Sequence, residues 1–226
     1  MKETICTIPV NEIFEQTGGC PICRMRDIIE KKYIDYITGA AMMEPDVRML
    51  TNAKGFCEKH FRQMLARCTN RLPICQMLHS HLVDSDRKLL KNADSSSAKK
   101  LAKLEESCFV CEYIENHFSR SLDTLFRNYK TEPEFRQLFA KQEYLCFPHY
   151  RRMLTDGKSA AGNKYAELCE TSHKLVCKHS DLLKDQLMGF IESFDYRNAG
   201  MPMPEDSRDC IERTIQFLTS RHPSEV

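Results

Sequence analysis

Apolar residues along the chain recur at helical spacing and form no strand-like alternation of useful length, so the pattern predicts an all-α protein. Residues 4–10 (TICTIPV) read as an extended arm, after which Asn11 caps a short helix running through Gln16 and ended by Gly18-Gly19. The next segment, Cys20 to Cys23, reads as a turn that Pro21 helps to fix. Met25, Ile28, Ile29, Tyr33, Tyr36, Ile37 and Ala40 then share a helix face that Gly39 limits. A helix starts near Pro45, a favoured first-turn residue, and stops at Gly55. Another opens at Cys57, with Phe61, Met64, Leu65 and Cys68 on one side. From about Pro73 to Asn92 the expected buried stripe is Cys75, Leu78, Leu82 and Leu89.

Residues 92–100 (NADSSSAKK) are polar and Ser-rich and read as a linker. Beyond them, Ile114, Phe118, Leu122, Leu125 and Phe126 mark a second helix of the Met25–Ala40 type. The longest stripe runs through Tyr165, Leu168, Cys169, Ser172, Leu175, Val176, His179, Leu182, Leu183, Leu187, Phe190, Ile191 and Phe194. A helix of that extent is about 45 Å long, enough to span two small units. The stretch from Gly200 to Pro204 breaks the pattern. A last helix carries Cys210, Ile211, Thr214, Phe217 and Leu218.

One pattern occurs twice. Cys20 and Cys23 precede Cys57 and His60; Cys108 and Cys111 precede Cys146 and His149. The spacings are C-x2-C-x33-C-x2-H and C-x2-C-x34-C-x2-H, offset by 88 to 89 residues. The flanks match too: the run from Glu44 to Leu50 shares four of seven positions with that from Glu132 to Leu138. His60-Phe61-Arg62-Gln63-Met64-Leu65 likewise echoes His149-Tyr150-Arg151-Arg152-Met153-Leu154. The expected organisation is therefore a tandem duplication of a helical unit of about 85 residues. Its segments are a first metal-binding repeat (1–91), the linker (92–100), a second repeat (101–197) and a C-terminal extension helix (198–226).

Three thiols and an imidazole suit a closed, four-coordinate structural zinc site. An iron–sulfur cluster is the minor alternative. The expectation is two Zn2+ per chain, one ion per repeat: Cys20, Cys23, Cys57 and His60, then Cys108, Cys111, Cys146 and His149. Exchanged pairing between the repeats is the alternative. A dithiol redox role for C-x2-C lacks its usual βαβ context.

Outside the quartets, Cys75/His79 and Cys169/His173 sit at i, i+4, a spacing that suits a catalytic or ligating dyad as well as core packing. Cys6, Cys68, Cys177 and Cys210 read as packing, and His117, aligned with Ile29, as a core histidine. His79 and His81 face different ways on a helix, which argues against a metal site with Asp84 and Asp86. Arg48 and Arg136 occupy equivalent positions, suited to salt bridges or to covering the thiolates.

Charge is balanced, with 33 basic and 32 acidic residues, so nothing argues for nucleic acid or an anionic membrane. No apolar run approaches a membrane span, and residues 1–10 lack a signal-peptide pattern. Twelve cysteines in a chain read as cytoplasmic suggest ligands and buried thiols rather than disulfides. Phosphate loops and the common hydrolase motifs are absent.

The CPIC, GFCEKH, CFVC and YLCFPH boxes, with the TIPV start, resemble an uncharacterised family of small bacterial all-helical proteins. The resemblance covers most of residues 4–195, and the chain departs from it where Glu143-Tyr144-Leu145 precedes Cys146 in place of the glycine. It implies fold and metal, and no activity. Two functions follow as expectations. One is a zinc-stabilised binding or adaptor module, with an unknown protein or small-molecule partner in a groove between the repeats. The other is a thiol-dependent enzyme or metal/redox sensor using the Cys75/His79 and Cys169/His173 pairs.

Overall fold

The computed structural model describes residues 10–198 and 202–224, and every regular element within them is helical. In order these are α1 Val10–Glu15, α2 Pro21–Ile37, α3 Pro45–Lys54, α4 Glu58–Arg67, α5 Leu72–Lys88 and α6 Ser95–Glu105. Then follow α7 Phe109–Thr131, α8 Pro133–Ala140, α9 Phe147–Thr155, α10 Gly157–Ala160, α11 Tyr165–Glu192 and α12 Cys210–Thr219. Of the expected arm only Val10, the first residue of α1, is described. Cys6 and the Gly200-Met201 break lie outside the described residues.

The helices form two compact units, which do not coincide with the segments 1–91, 92–100, 101–197 and 198–226. The first is Arg26–Ser119; the second comprises residues 10–25 and 120–224. Two helices are divided: α2 starts in the second unit and continues into the first, and α7 does the reverse. The long helix α11 belongs wholly to the second unit, which corrects the expectation that it spans both halves. The Ser-rich linker is also corrected, because α6 begins inside it. Asp94 caps that helix by accepting the Ser97 amide at 2.8 Å. Read as a loop, the serines conceal an N-cap followed by good helix formers, Ala98-Lys99-Lys100-Leu101.

In the first unit, α2 buries Ile29, Tyr33, Ile34 and Ile37. Tyr33 stacks on Tyr113 of α7 at 3.4 Å between ring centroids, and Phe56 meets both Phe61 and Phe109. Helix α5 packs on α3, but through Ile74 and Met77; Cys75, Leu78 and Leu82 are exposed. The expected stripe is thus displaced by one residue, about 100° around the helix. Polar partners on the packed face explain the error: Asn52 Nδ2 donates to Ser80 Oγ (2.8 Å), and His81 Nδ1 lies 3.0 Å from the Asn52 carbonyl. His117 is half-buried and stacks on Tyr113 rather than lying in the core.

In the second unit Phe14 of α1 sits against Phe135 and Phe139 of α8, with centroids 5.0 and 5.6 Å away. Leu122, Leu125 and Phe126 of α7 complete this core. Gly157 admits Leu168 and Phe126 so closely that a Cβ would fall 2.9 Å from Leu168 Cδ2. Helix α11 buries Leu168, Ser172, Leu175, Val176, His179, Leu183 and Gln186. Leu182 is exposed on its outer side, and its last turns leave the core, with Met188 and Ile191 exposed. Helix α12 packs on α9 and α11. Its Phe217 meets Tyr144, Phe147 and His179, and Cys210 is buried as expected.

Candidate metal centres

All four Cys/His boxes take up one local geometry. The first cysteine of each stands just before a helix and its carbonyl accepts the first helical hydrogen bond: Cys20 from Arg24 N, Cys57 from Phe61 N, Cys108 from Glu112 N and Cys146 from Tyr150 N. Cys20-Pro21-Ile22-Cys23 is therefore the opening of α2 rather than a free turn, with Pro21 in the first helical position. The second ligand, three residues on, falls in the first turn on the same side. Helix N-termini carry partial positive charge, which favours thiolate over thiol. In one box the cap is explicit, with the Cys111 amide 3.5 Å from Cys108 Sγ.

The structure brings these eight residues together as two quartets, but not in the expected combination. Cys57, His60, Cys108 and Cys111 meet in the first unit; Cys20, Cys23, Cys146 and His149 meet in the second. The exchanged pairing is the one formed. On α2, Glu30 lies beside His60 and Asp35 beside Arg67 of α4, so the helix that Cys57 opens packs along the part of α2 that belongs to the first unit. Within that unit the Cys57/His60 box meets the opening of α7.

In the first-unit quartet, His60 Nδ1 lies 3.1 Å from Cys57 Sγ, 3.3 Å from Cys108 Sγ and 3.4 Å from Cys111 Sγ. Cys57 and Cys111 sulfurs are 3.8 Å apart. In the second, His149 Nδ1 lies 3.0, 3.3 and 3.6 Å from Cys146, Cys23 and Cys20 sulfurs, and Cys23 and Cys146 are 3.6 Å apart. A tetrahedral ion with bonds of about 2.3 Å to sulfur and 2.0 Å to nitrogen has edges of about 3.7 and 3.5 Å. The donor sets fit one mononuclear ion each. Sulfur separations of this size also exclude disulfides, whose bond is about 2.05 Å.

The thiols perturb one another strongly. Burial raises the Cys20 thiol, but hydrogen bonds from Cys146, Cys23 and His149 outweigh this and hold it well below its ordinary range. Cys108 is brought down to about 3, chiefly by the hydrogen bond from Cys111. Cys23, Cys111 and Cys146 are pushed up by the thiols they face. Three packed thiols cannot all ionise unaided; a bound cation would allow it.

Sequence reasoning missed two supporting residues. Glu30 is buried, and its Oε1 lies 3.0 Å from His60 Nε2 and 2.5 Å from Lys59 Nζ. Burial raises this carboxyl, but the bonds from His60 and Lys59 prevail and leave it at about 2. A carboxylate on the far nitrogen of a ligating histidine fixes its tautomer and orientation. The available signal was an acid within the apolar stripe of α2, beside Ile29 and Tyr33. The second residue, Arg24, donates to the Ile13, Gln16 and Gly18 carbonyls and to Gln142 Oε1, fixing the loop that delivers Cys20. Arg136 instead binds the Tyr129 carbonyl (3.0 Å) and Glu167.

The departure in the second box also has a cause. Gly55, two residues before Cys57, has φ 58°, which suits glycine. Its counterpart Tyr144 is buried and stacks on His179 at 3.8 Å, so an aromatic anchor replaces a glycine turn. The quartets differ in exposure as well. Cys111 is exposed and Cys57 half-buried, whereas Cys20, Cys23 and Cys146 are 3, 8 and 0% exposed.

Of the other thiol–imidazole pairs, Cys75 and His79 are both exposed, and no hydrogen bond joins them among the described residues. Cys169 is half-buried, and His173 is paired with Cys177 instead. Core packing is thus wrong for Cys75 and Cys177.

Glu30→Gln keeps a hydrogen-bond acceptor for His60 but removes the charge. We expect metal affinity of the first-unit quartet to fall about 10-fold, the lower end of effects of this kind, with the second-unit quartet unchanged. Competition against a chromophoric chelator, with two affinities resolved, checks this.

No described helix is long and apolar enough to cross a membrane. No curated protein and no solved structure matches the chain significantly. A family model matches residues 1–225, and the chain belongs to that family, the family of unknown function DUF6062.

Proposed function

We propose that the protein is a zinc-stabilised helical binding module that holds two Zn2+ per chain. Cys57, His60, Cys108 and Cys111 hold one ion, and Cys20, Cys23, Cys146 and His149 the other. The observation carrying this reading is the pair of closed quartets, whose four donor atoms in each case lie within 4.8 Å of one another. That spacing suits one ion better than a polynuclear iron–sulfur core. A Cys3His set favours zinc. Four protein ligands leave no position for water or substrate, which supports a structural rather than a catalytic ion.

Binding is supported by apolar surface in the first unit. Met49 and Leu50 of α3 and Leu72 and Leu82 of α5 are about half exposed or more, apolar surface that a partner would cover. The partner is a protein or an apolar small molecule. Native mass spectrometry of protein purified without added metal tests the reading. The expected result is two zinc ions per chain. Iron with inorganic sulfide, or a metal-free folded chain, overturns it.

A further inference from the structure

One group of reactive side chains lies outside both quartets. Cys177, exposed on α11, has its Sγ 3.5 Å from His173 Nε2, one turn earlier on the same helix. The His173 ring is held from a second helix, since Tyr150 Oη of α9 lies 3.2 Å from its Nδ1. A thiol, an imidazole beside it and a third group fixing that imidazole are the parts of an activated nucleophile. The same i, i+4 spacing at Cys75 and His79 lacks that arrangement. Spacing alone therefore does not create the group; the tyrosine from α9 distinguishes it.

We propose that Cys177 is a site of S-thiolation by low-molecular-weight disulfides, with His173 as its base and Tyr150 as the residue positioning that base. In the productive tautomer His173 Nδ1–H donates to Tyr150 Oη, which leaves the Nε2 lone pair facing Cys177 Sγ–H. The Cys177 proton passes to Nε2 as the sulfur attacks one sulfur of the reagent RS–SR. The Cys177 S–S bond forms, the reagent S–S bond breaks, and the departing RS− takes the proton from His173. Cys177 is oxidised to the mixed disulfide while half of the reagent is reduced to RSH.

The mixed disulfide is a stable end point with respect to its neighbour. Cys169 lies on the same helix eight residues away, about 12 Å along the axis, whereas a disulfide needs Cα atoms within about 7 Å. The adduct therefore persists until an external thiol removes it.

The size of the effect is bounded. A positioned base that takes the proton as the new bond forms contributes about 100-fold or more in an organised active site. This pair is exposed and competes with water as the base, so a gain of about tenfold over an unassisted exposed thiol is expected. The test treats the full-length, metal-loaded protein with oxidised glutathione at pH 7 and reads each cysteine by peptide mass spectrometry. Cys177 should be thiolated about tenfold faster than Cys75, its exposed comparator. His173→Ala should reduce Cys177 to the Cys75 rate, and Tyr150→Phe should give an intermediate one. His173 is exposed, so its replacement spares the core. Metal content, measured in parallel, separates this outcome from any failure of the zinc sites. Equal rates at Cys177 and Cys75, or a Cys177 rate unchanged by His173→Ala, overturn the proposal.

Discussion

Cys57→Ser leaves one metal equivalent bound, and the thiol that loses protection is the exposed Cys111. This result separates the two ways of pairing the boxes. Pairing within each sequence repeat would instead expose Cys20 and Cys23 when Cys57 is lost. In the structure Cys57 shares its quartet with Cys108 and Cys111, and the second quartet contains no atom of the Cys57/His60 box. The thiols of the second unit, at 3, 8 and 0% exposure, therefore stay unreactive. Zinc-bound and buried sulfurs alkylate slowly, and a freed thiol at an exposed helix start alkylates fast. Alkylation of the native variant, read cysteine by cysteine, gives the answer. Should Cys57→Ser compromise folding, Cys57→His supplies a second arm: Cys2His2 is also a zinc set, so it retains two equivalents. Labelling of Cys20 and Cys23 in Cys57→Ser, with Cys108 and Cys111 protected, would sink the exchanged assignment.

The local geometry of the four boxes was legible in the sequence because C-x2-C and C-x2-H are local objects. Each fixes a cysteine before a helix and a ligand in its first turn, and both positions are set within four residues. Which box meets which is a non-local property. It depends on side chains far from the boxes in sequence, since the helix that Cys57 opens meets α2 at Glu30 and Asp35, residues that no spacing rule selects. Spacing in sequence suggested that ligands about 35 residues apart meet; in the structure Cys57 and Cys111 are 54 apart and Cys20 and His149 are 129 apart. The helical class was legible from the apolar period, but the buried side of α5 was not. Its packed face includes Ser80 and His81, whose hydrogen bonds to Asn52 an apolar count cannot register. The Ser-rich run failed as a linker for a similar reason, since one capping carboxylate, Asp94, reverses its meaning. Cys177 was read as packing because its partner comes from two directions: His173 is local, but Tyr150 reaches it from another helix.

Removal of metal should proceed in two steps and end in loss of the cooperative fold. The first-unit quartet has an exposed Cys111 and a half-buried Cys57, so chelator and solvent reach it directly. The second-unit quartet is buried, and Cys23 Sγ lies 3.9 Å from the Ser220 carbonyl beyond α12. Its ion can leave only after local opening, which takes part of the unit's stability. One equivalent should therefore leave fast and the other slowly. The consequence for folding follows from magnitudes. Structural zinc contributes about 10–16 kcal/mol of apparent binding energy near neutral pH, against a total stability of about 5–15 kcal/mol for ordinary domains. Neither unit has a surplus of that size to survive the loss. Acid should act in the same direction, since protons compete with the ion for thiolate and imidazole. Stopped-flow release into a chromophoric chelator, followed by circular dichroism of the same sample, measures both effects. Release of both equivalents at one rate would contradict the difference in enclosure. A fully stripped chain that kept its helical signal and a cooperative melt would show that the ions do not hold the fold.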